Sequence, residues 1–248
     1  MTHTPPSSVL LSVATCVAAL ACGACSSNNN QGAACNPCGP TATDDAGADN
    51  LNPDGIPYPT PAGGYGRMAA TSKTPGSIIQ NFKFLGYPDS DESKGLQTIA
   101  MADFYDPCGR RSKLLHLSVA GVWCVPCNEE TDALVAAKAD LASKGVVVVQ
   151  ALSDGPTEGV GATPSDLMYW IEKHMPSFTT MLDPGLQNLG GFFPASAIPW
   201  NCDIDPRTME ILDDSTGWAG DVDTEIQPGL SALAEAPSFV APAACGDQ

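Results

Sequence analysis

Trp123-Cys124-Val125-Pro126-Cys127 lies between an apolar run and an amphipathic one, and that placement decides the fold. Leu114, Leu115, Leu117 and Val119 read as a buried strand. Glu129 to Lys144 reads as an amphipathic helix, and Val146-Val147-Val148-Val149 as the next, parallel strand. The two cysteines therefore stand at the mouth of the helix in a strand-helix-strand unit. Unpaired N–H groups and the positive end of the helix macrodipole gather there, and both favour a thiolate over a thiol. The thiolate is the reactive form, so two thiols at this spacing can close a small disulfide ring and reopen it.

Working outward, Ser77 to Leu85 and Thr98 to Tyr105 read as two strands ahead of the motif, separated by a polar turn region from Tyr87 to Gly95. Beyond Val149, Leu167, Met168 and Ile171 recur at helical spacing within Ser165 to Lys173. Phe178 to Leu182 is a short strand stopped by Asp183-Pro184-Gly185. Trp200 to Asp205 and Met209 to Leu212 form a hairpin around Pro206, and a closing helix runs from near Asp223 to Leu233. This alternation of strand and helix places the chain in the α/β class.

The 248 residues divide by composition into one globular domain and a tail. A formal net charge of -17, from 28 acidic against 11 basic side chains, argues against nucleic acid as a partner and against charge-driven docking on an anionic membrane. Ten cysteines are more than an ordinary enzyme of a reducing compartment carries, and several sit in Pro/Gly/Asn-rich stretches where core packing is not their reason. An oxidising, extracytoplasmic setting follows.

The N-terminus agrees. The apolar or small run from Val9 to Ala21 is shorter than the ~20 residues of a spanning helix and fits the core of a signal peptide. Ala19-Leu20-Ala21-Cys22 resembles a lipobox, with Cys22 as the lipidated residue and Cys25 as the competing site; an ordinary cleaved export signal is the other reading. The expected division is 1–24 signal peptide and lipobox region, 25–75 flexible tether, 76–236 folded domain and 237–248 C-terminal tail. The tether is poor in large apolar residues and would be disordered. It contains Cys35-Asn36-Pro37-Cys38, read as a local structural disulfide rather than a relay or metal site, because no helix follows it and no other ligand flanks it.

The residues from Ser77 to Ala234 resemble the TlpA-like group of membrane-anchored thioredoxin-fold thiol-disulfide oxidoreductases. The resemblance rests on Trp123-Cys124-Val125-Pro126-Cys127 after a strand, on Glu130 beyond the second cysteine, and on Ile198-Pro199 just before a strand, where these proteins hold a cis-proline. It implies a thioredoxin-like fold, a central mixed β-sheet flanked by helices, with neither metal nor organic cofactor. It further implies Cys124 as the more exposed, attacking thiolate and Cys127 as the buried, resolving thiol. Trp123, Pro126, Ile198 and Pro199 would border the partner protein. The implied partners are protein thiols and disulfides, with a membrane electron donor, and the membrane would be reached by the lipid anchor only. Glu130 is a candidate proton acceptor for Cys127, although Glu129, Glu130 and Asp132 equally make an ordinary acidic first turn.

The chain departs from the pattern at Ser118, where many thioredoxins bury an acid, and at Asn128, where a Lys or Arg often follows the second cysteine. Cys108 and Cys202 are extra and a bridge between them is one option. Cys245 has no evident partner, and spacing alone does not fix connectivity. Three other readings compete. A peroxiredoxin-like peroxidase needs a Thr three residues before its cysteine, but Gly121 holds that place relative to Cys124. A copper-delivery relative needs a longer cysteine spacing and a later His than His174. A redox-inert binding module would use Cys124 and Cys127 only as a staple.

Overall fold

The computed structural model describes residues 50–71, 74–236 and 239–246. The signal and lipobox segment, Cys22, Cys25 and the Cys35–Cys38 pair lie outside the described residues. Seven strands form one sheet: β1 (Lys83–Tyr87), β2 (Gln97–Ala100), β3 (Leu114–Gly121), β4 (Val146–Asp154), β5 (Thr179–Leu182), β6 (Trp200–Asp205) and β7 (Glu210–Thr216). Their order is β2-β1-β5-β4-β3-β6-β7. Strands β3, β4 and β5 run parallel, whereas β1, β2, β6 and β7 each run antiparallel to the neighbour they pair with.

Four helices complete the unit: α1 (Val125–Ala136), α2 (Lys138–Lys144), α3 (Pro164–His174) and α4 (Val222–Glu235). Helix α1 begins four residues earlier than its periodicity suggests, because Cys124 is the N-cap and Pro126 sits in the first turn, where its missing N–H costs nothing. The expected single helix to Lys144 breaks at Ala137 (φ -82°, ψ 1°), and no Gly or Pro marks the break. Helix α3 starts on a reciprocal cap, Thr163 with Asp166, and stops at Met175 in the left-handed region. The strand expected over Thr98 to Tyr105 ends at Ala100 and gives way to a 3₁₀ turn, Met101–Phe104.

Strand β3 is buried along its whole length, as a central parallel strand should be. Its two faces differ in chemistry. Leu115, Leu117 and Val119 join an apolar layer with Val149, Ala151, Trp200, Cys202 and Ile204. His116 and Ser118 point to the side that carries α1 and α4, and Gln150 of β4 bonds there to both Thr131 of α1 and Trp170 of α3. A second cluster, with Leu114, Val146, Val148, Leu134, Leu141 and Ile226, seals α1, α2 and α4 onto that face. The core strand order, with the helix-borne motif after β3 and a β6–β7 hairpin before the closing helix, is thioredoxin-like.

Two expectations about the ends of the domain need correcting. The stretch read as a tether up to residue 75 is packed from Asn50 onward: Ile56 and Tyr58 are buried in the apolar layer. Asn52 anchors a turn by accepting from Ile56 N–H at 2.7 Å and donating to the Tyr105 carbonyl at 3.1 Å. Tyr58 donates its hydroxyl to the Ile79 carbonyl at 2.8 Å and packs edge-on against Tyr105. A few aromatic rings and one asparagine thus supply the burial that a periodic pattern would have announced.

The C-terminal segment is also tied down, by a Cys108–Cys245 disulfide with a sequence separation of 137. The Cys108–Cys202 option is therefore not used; Cys202 is a free, buried thiol whose pKa burial pushes well up, so it is a poor nucleophile. Arg110 donates to the Cys245 carbonyl, and Arg207 lies over the Phe239 ring at 5.2 Å. Closing so long a loop removes much unfolded-state freedom, so the Cys108→Ser/Cys245→Ser double variant should lose roughly 2–5 kcal/mol of stability in a denaturant titration under non-reducing conditions.

Candidate active site

Cys124 and Cys127 are joined in a disulfide at the entrance of α1. The Cys127 N–H points at Cys124 Sγ, 3.2 Å away, so a thiolate formed on Cys124 would meet a backbone donor and the helix dipole together. In the closed ring both cysteines are buried, 1% and 0% exposed, so the expected difference in exposure does not rank them. Their places on the helix differ: Cys124 caps it and Cys127 lies inside it. Val125 between them is 67% exposed, so the ring borders solvent on that side.

Ile198-Pro199 is a cis peptide bond immediately before β6, as the resemblance implies. The Ile198 carbonyl oxygen lies 3.7 Å from Cys124 Sγ. Above Gly121 the Ile198 and Trp123 side chains crowd together; a Cβ there would come within 3.0 Å of Ile198 Cδ1 and 3.2 Å of Trp123 Nε1. Trp123 donates its Nε1–H to Asp154 at 3.0 Å, and Asp154 also accepts from Gly159 N–H at 2.9 Å, which ties the loop after β4 to the motif. The structure thus gathers Trp123, Cys124, Cys127, Ile198 and Pro199 around one disulfide.

Asn128, which stands in the place of a basic residue, holds the motif by its amide. Its Nδ2 donates to the Cys124 carbonyl at 2.7 Å and to the Val122 carbonyl at 3.3 Å. Its Oδ1 accepts from the Lys173 ammonium and from His174 Nε2. Helix α3 therefore returns positive charge to the region from which the sequence had removed it.

Glu130 is fully buried on the inner face of α1, one turn beyond Cys127. Side chains three apart on a helix are neighbours, so its carboxyl and the Cys127 sulfur share that face. It accepts from Asn201 Nδ2 and lies 3.4 Å from Ser118 Oγ. Burial lifts its pKa to about 7, against the lowering pull of His116, Asn201 and Ser118 and with a further push from Glu225. Beside Ser118, where many thioredoxins carry an acid on the strand, the helix brings a carboxyl into the same layer. The acidic first turn expected of Glu129, Glu130 and Asp132 is not formed, because α1 begins at Val125 and these residues lie beyond its first turn.

Four residues of this layer went unremarked in the sequence: His116, Asn201, Asp203 and Glu225. His116 Nδ1 is 2.8 Å from Asp203 Oδ1, and Asn201 Nδ2 also reaches Glu225 Oε2 at 3.3 Å. The available signal was a polar residue at every second position of two strands, His116 and Ser118 in β3 and Asn201, Asp203 and Asp205 in β6. Gly229 of α4 completes the fit, since a Cβ there would sit 2.2 Å from Asp203 Oδ2.

No family model and no curated protein matches the sequence. Among solved structures, one of a protein provisionally assigned as the thiol:disulfide interchange protein DsbE from Chlorobium tepidum is similar, with 21% identity, 64% of this chain and 97% of that chain covered, and a TM-score of 0.49. A secreted thiol-disulfide isomerase from Corynebacterium glutamicum has 17% identity over 71% of this chain and 96% of its own, with a TM-score of 0.48. A DsbF homologue from Corynebacterium diphtheriae has 16% identity over 72% and 98%, with a TM-score of 0.46. With identities below 25% and TM-scores below 0.5, the fold assignment stands on the strand order of this chain itself.

Proposed function

We propose that this protein is a thiol-disulfide oxidoreductase that exchanges its Cys124–Cys127 disulfide with cysteines of another protein. The observation that carries this reading is the pairing of a helix-mouth disulfide with a buried carboxyl on the same helix, whose pKa of about 7 suits proton exchange near neutrality. A mere staple has no use for Glu130. Burying a carboxyl at that cost weakens the fold, and an inert module would be better served by an apolar side chain.

In the reducing direction, Cys124 loses its proton to solvent and its thiolate attacks one sulfur of a partner disulfide. The partner S–S bond breaks, and the sulfur that leaves is protonated. A mixed disulfide to Cys124 remains. Cys127 then gives its proton to Glu130, attacks Cys124 Sγ, closes the intramolecular disulfide and expels the second partner sulfur, which takes up a proton. The partner gains two electrons and two protons, and the enzyme's dithiol loses them. The same steps reversed oxidise a partner. Trp123, Pro126, exposed Val125 and the Ile198-Pro199 edge form the docking rim in this reading.

The setting belongs to the proposal too: export outside the cytoplasm, with Cys22 or Cys25 as lipid attachment point, partners bearing thiols or disulfides, and a membrane donor of electrons. The second disulfide, Cys108–Cys245, supports an oxidising compartment. Among the described residues no helix is long and apolar enough to cross a membrane. The direct test is reduction of insulin by dithiothreitol, followed by turbidity. Wild type should accelerate precipitation and Cys124→Ser should not; no acceleration by wild type would refute the function.

A further inference from the structure

We propose that His116 and Glu225 act as opposed positioning charges on Glu130, and so set the pH at which Cys127 can resolve a mixed disulfide. This deepens the oxidoreductase reading and rests on it. The geometry is a closed polar layer between two strands and two helices. In the β3–β6 register His116 stands opposite Asp203 and Ser118 opposite Asn201, which puts four polar side chains side by side on one face. Glu130 descends on this square from α1 and Glu225 from α4.

One amide joins the two carboxyls, because Asn201 Nδ2 donates to Glu130 Oε1 and to Glu225 Oε2. Glu225 is held from outside by Ser215 Oγ at 3.2 Å and by Ala219 N–H at 2.7 Å. Among the described residues no Lys or Arg bonds a carboxyl of this layer, and its one ion pair is His116–Asp203. The layer also retains polar atoms with no hydrogen-bond partner, His116 Nε2 and Asn201 Oδ1, which a purely architectural network would be expected to satisfy.

The charges act as this arrangement requires. His116 pulls the Glu130 pKa down and Glu225 pushes it up. Burial works against the imidazolium of His116, but the bond to Asp203 and the fields of Asp203, Glu130 and Glu225 prevail and raise its pKa. The titratable groups facing this layer are therefore Cys127 and Glu130 from α1, His116 from β3, Asp203 from β6, Asp213 from β7 and Glu225 from α4. Asp213 acts from the rim; it feels Asp203 and Glu225. Strand β4 presents the neutral Gln150.

The test measures alkylation of Cys127 by iodoacetamide against pH in a Cys124→Ser background. A rate inflection that disappears on adding Glu130→Gln reports the Glu130 titration. Glu225→Gln should move that inflection about one pH unit down. His116→Asn with Asp203→Asn, which keeps a neutral hydrogen-bonded pair in place of the ion pair, should move it about one pH unit up. Opposite displacements support the proposal; unchanged midpoints, or displacements of the same sign, overturn it. If the double variant does not fold, His116→Gln alone takes its place with the same upward displacement expected, and an unchanged or downward midpoint there overturns the proposal. Failure of the oxidoreductase reading would show instead as wild-type inactivity on insulin, which this titration does not depend on.

Discussion

Cys127→Ser is expected to turn the protein into a trap. With Cys124 still at the helix mouth the first exchange proceeds, but no second thiol lies on α1 to attack the mixed disulfide, so the partner stays covalently bound through Cys124. Turnover on insulin should fall by more than about a thousandfold, because removing one member of a two-step covalent pair leaves no route to product. Non-reducing electrophoresis would show a new band that dithiothreitol dissolves. The paired variant Cys124→Ser should give no such band. Equal trapping by both variants would mean that the assignment of attacking and resolving thiols is wrong.

Glu130→Gln is expected to stabilise the fold and impair the chemistry at once. In the unfolded chain Glu130 titrates near its ordinary value of 4.5, whereas in the folded protein its pKa is about 7. Below the lower value the carboxyl is protonated in both states and the substitution should be neutral. Between the two values the unfolded state releases its proton while the folded state retains it, so wild-type stability falls as pH rises. Above pH 7 the loss is complete, about 3 kcal/mol in order of magnitude. Urea titrations at pH 4 and pH 8 should therefore show Glu130→Gln matching wild type at the first and exceeding it at the second. Resolution of the mixed disulfide should meanwhile slow by roughly a hundredfold near neutrality, the usual loss when a positioned proton acceptor is removed. A variant less stable at pH 8 would contradict the buried, costly carboxylate on which this account turns.

The β3-α1-β4 unit and its cysteines were legible in the sequence because period-two and helical patterns meet at the motif, and Ile198-Pro199 was legible because it precedes a strand. What escaped reading did so for identifiable reasons. Residues 50–71 look like tether by composition, yet Tyr58 and Asn52 pin them through bonds to residues far along the chain, Ile79 and Tyr105. The Cys108–Cys245 pair joins points that no local spacing relates. His116, Asn201, Asp203 and Glu225 come from three separate elements, and only the strand register and the approach of α4 at Gly229 bring them into one layer. Glu130 was visible as a candidate but not as a buried one, since with the helix read as starting at Glu129 it fell in an acidic first turn, whereas the actual start at Val125 moves it one turn in.

The location of that carboxyl has a mechanical consequence. An acid borne on a strand sits across a seam from the sulfur it serves, so any rocking of the helix against the sheet alters the gap the proton must cross. In the proposed exchange the proton would instead pass between two side chains of a single rod, Cys127 and Glu130, whose backbone attachment points the helix holds one turn apart. Deformation when a partner docks or departs would carry both together, leaving the transfer distance insensitive to the jolt.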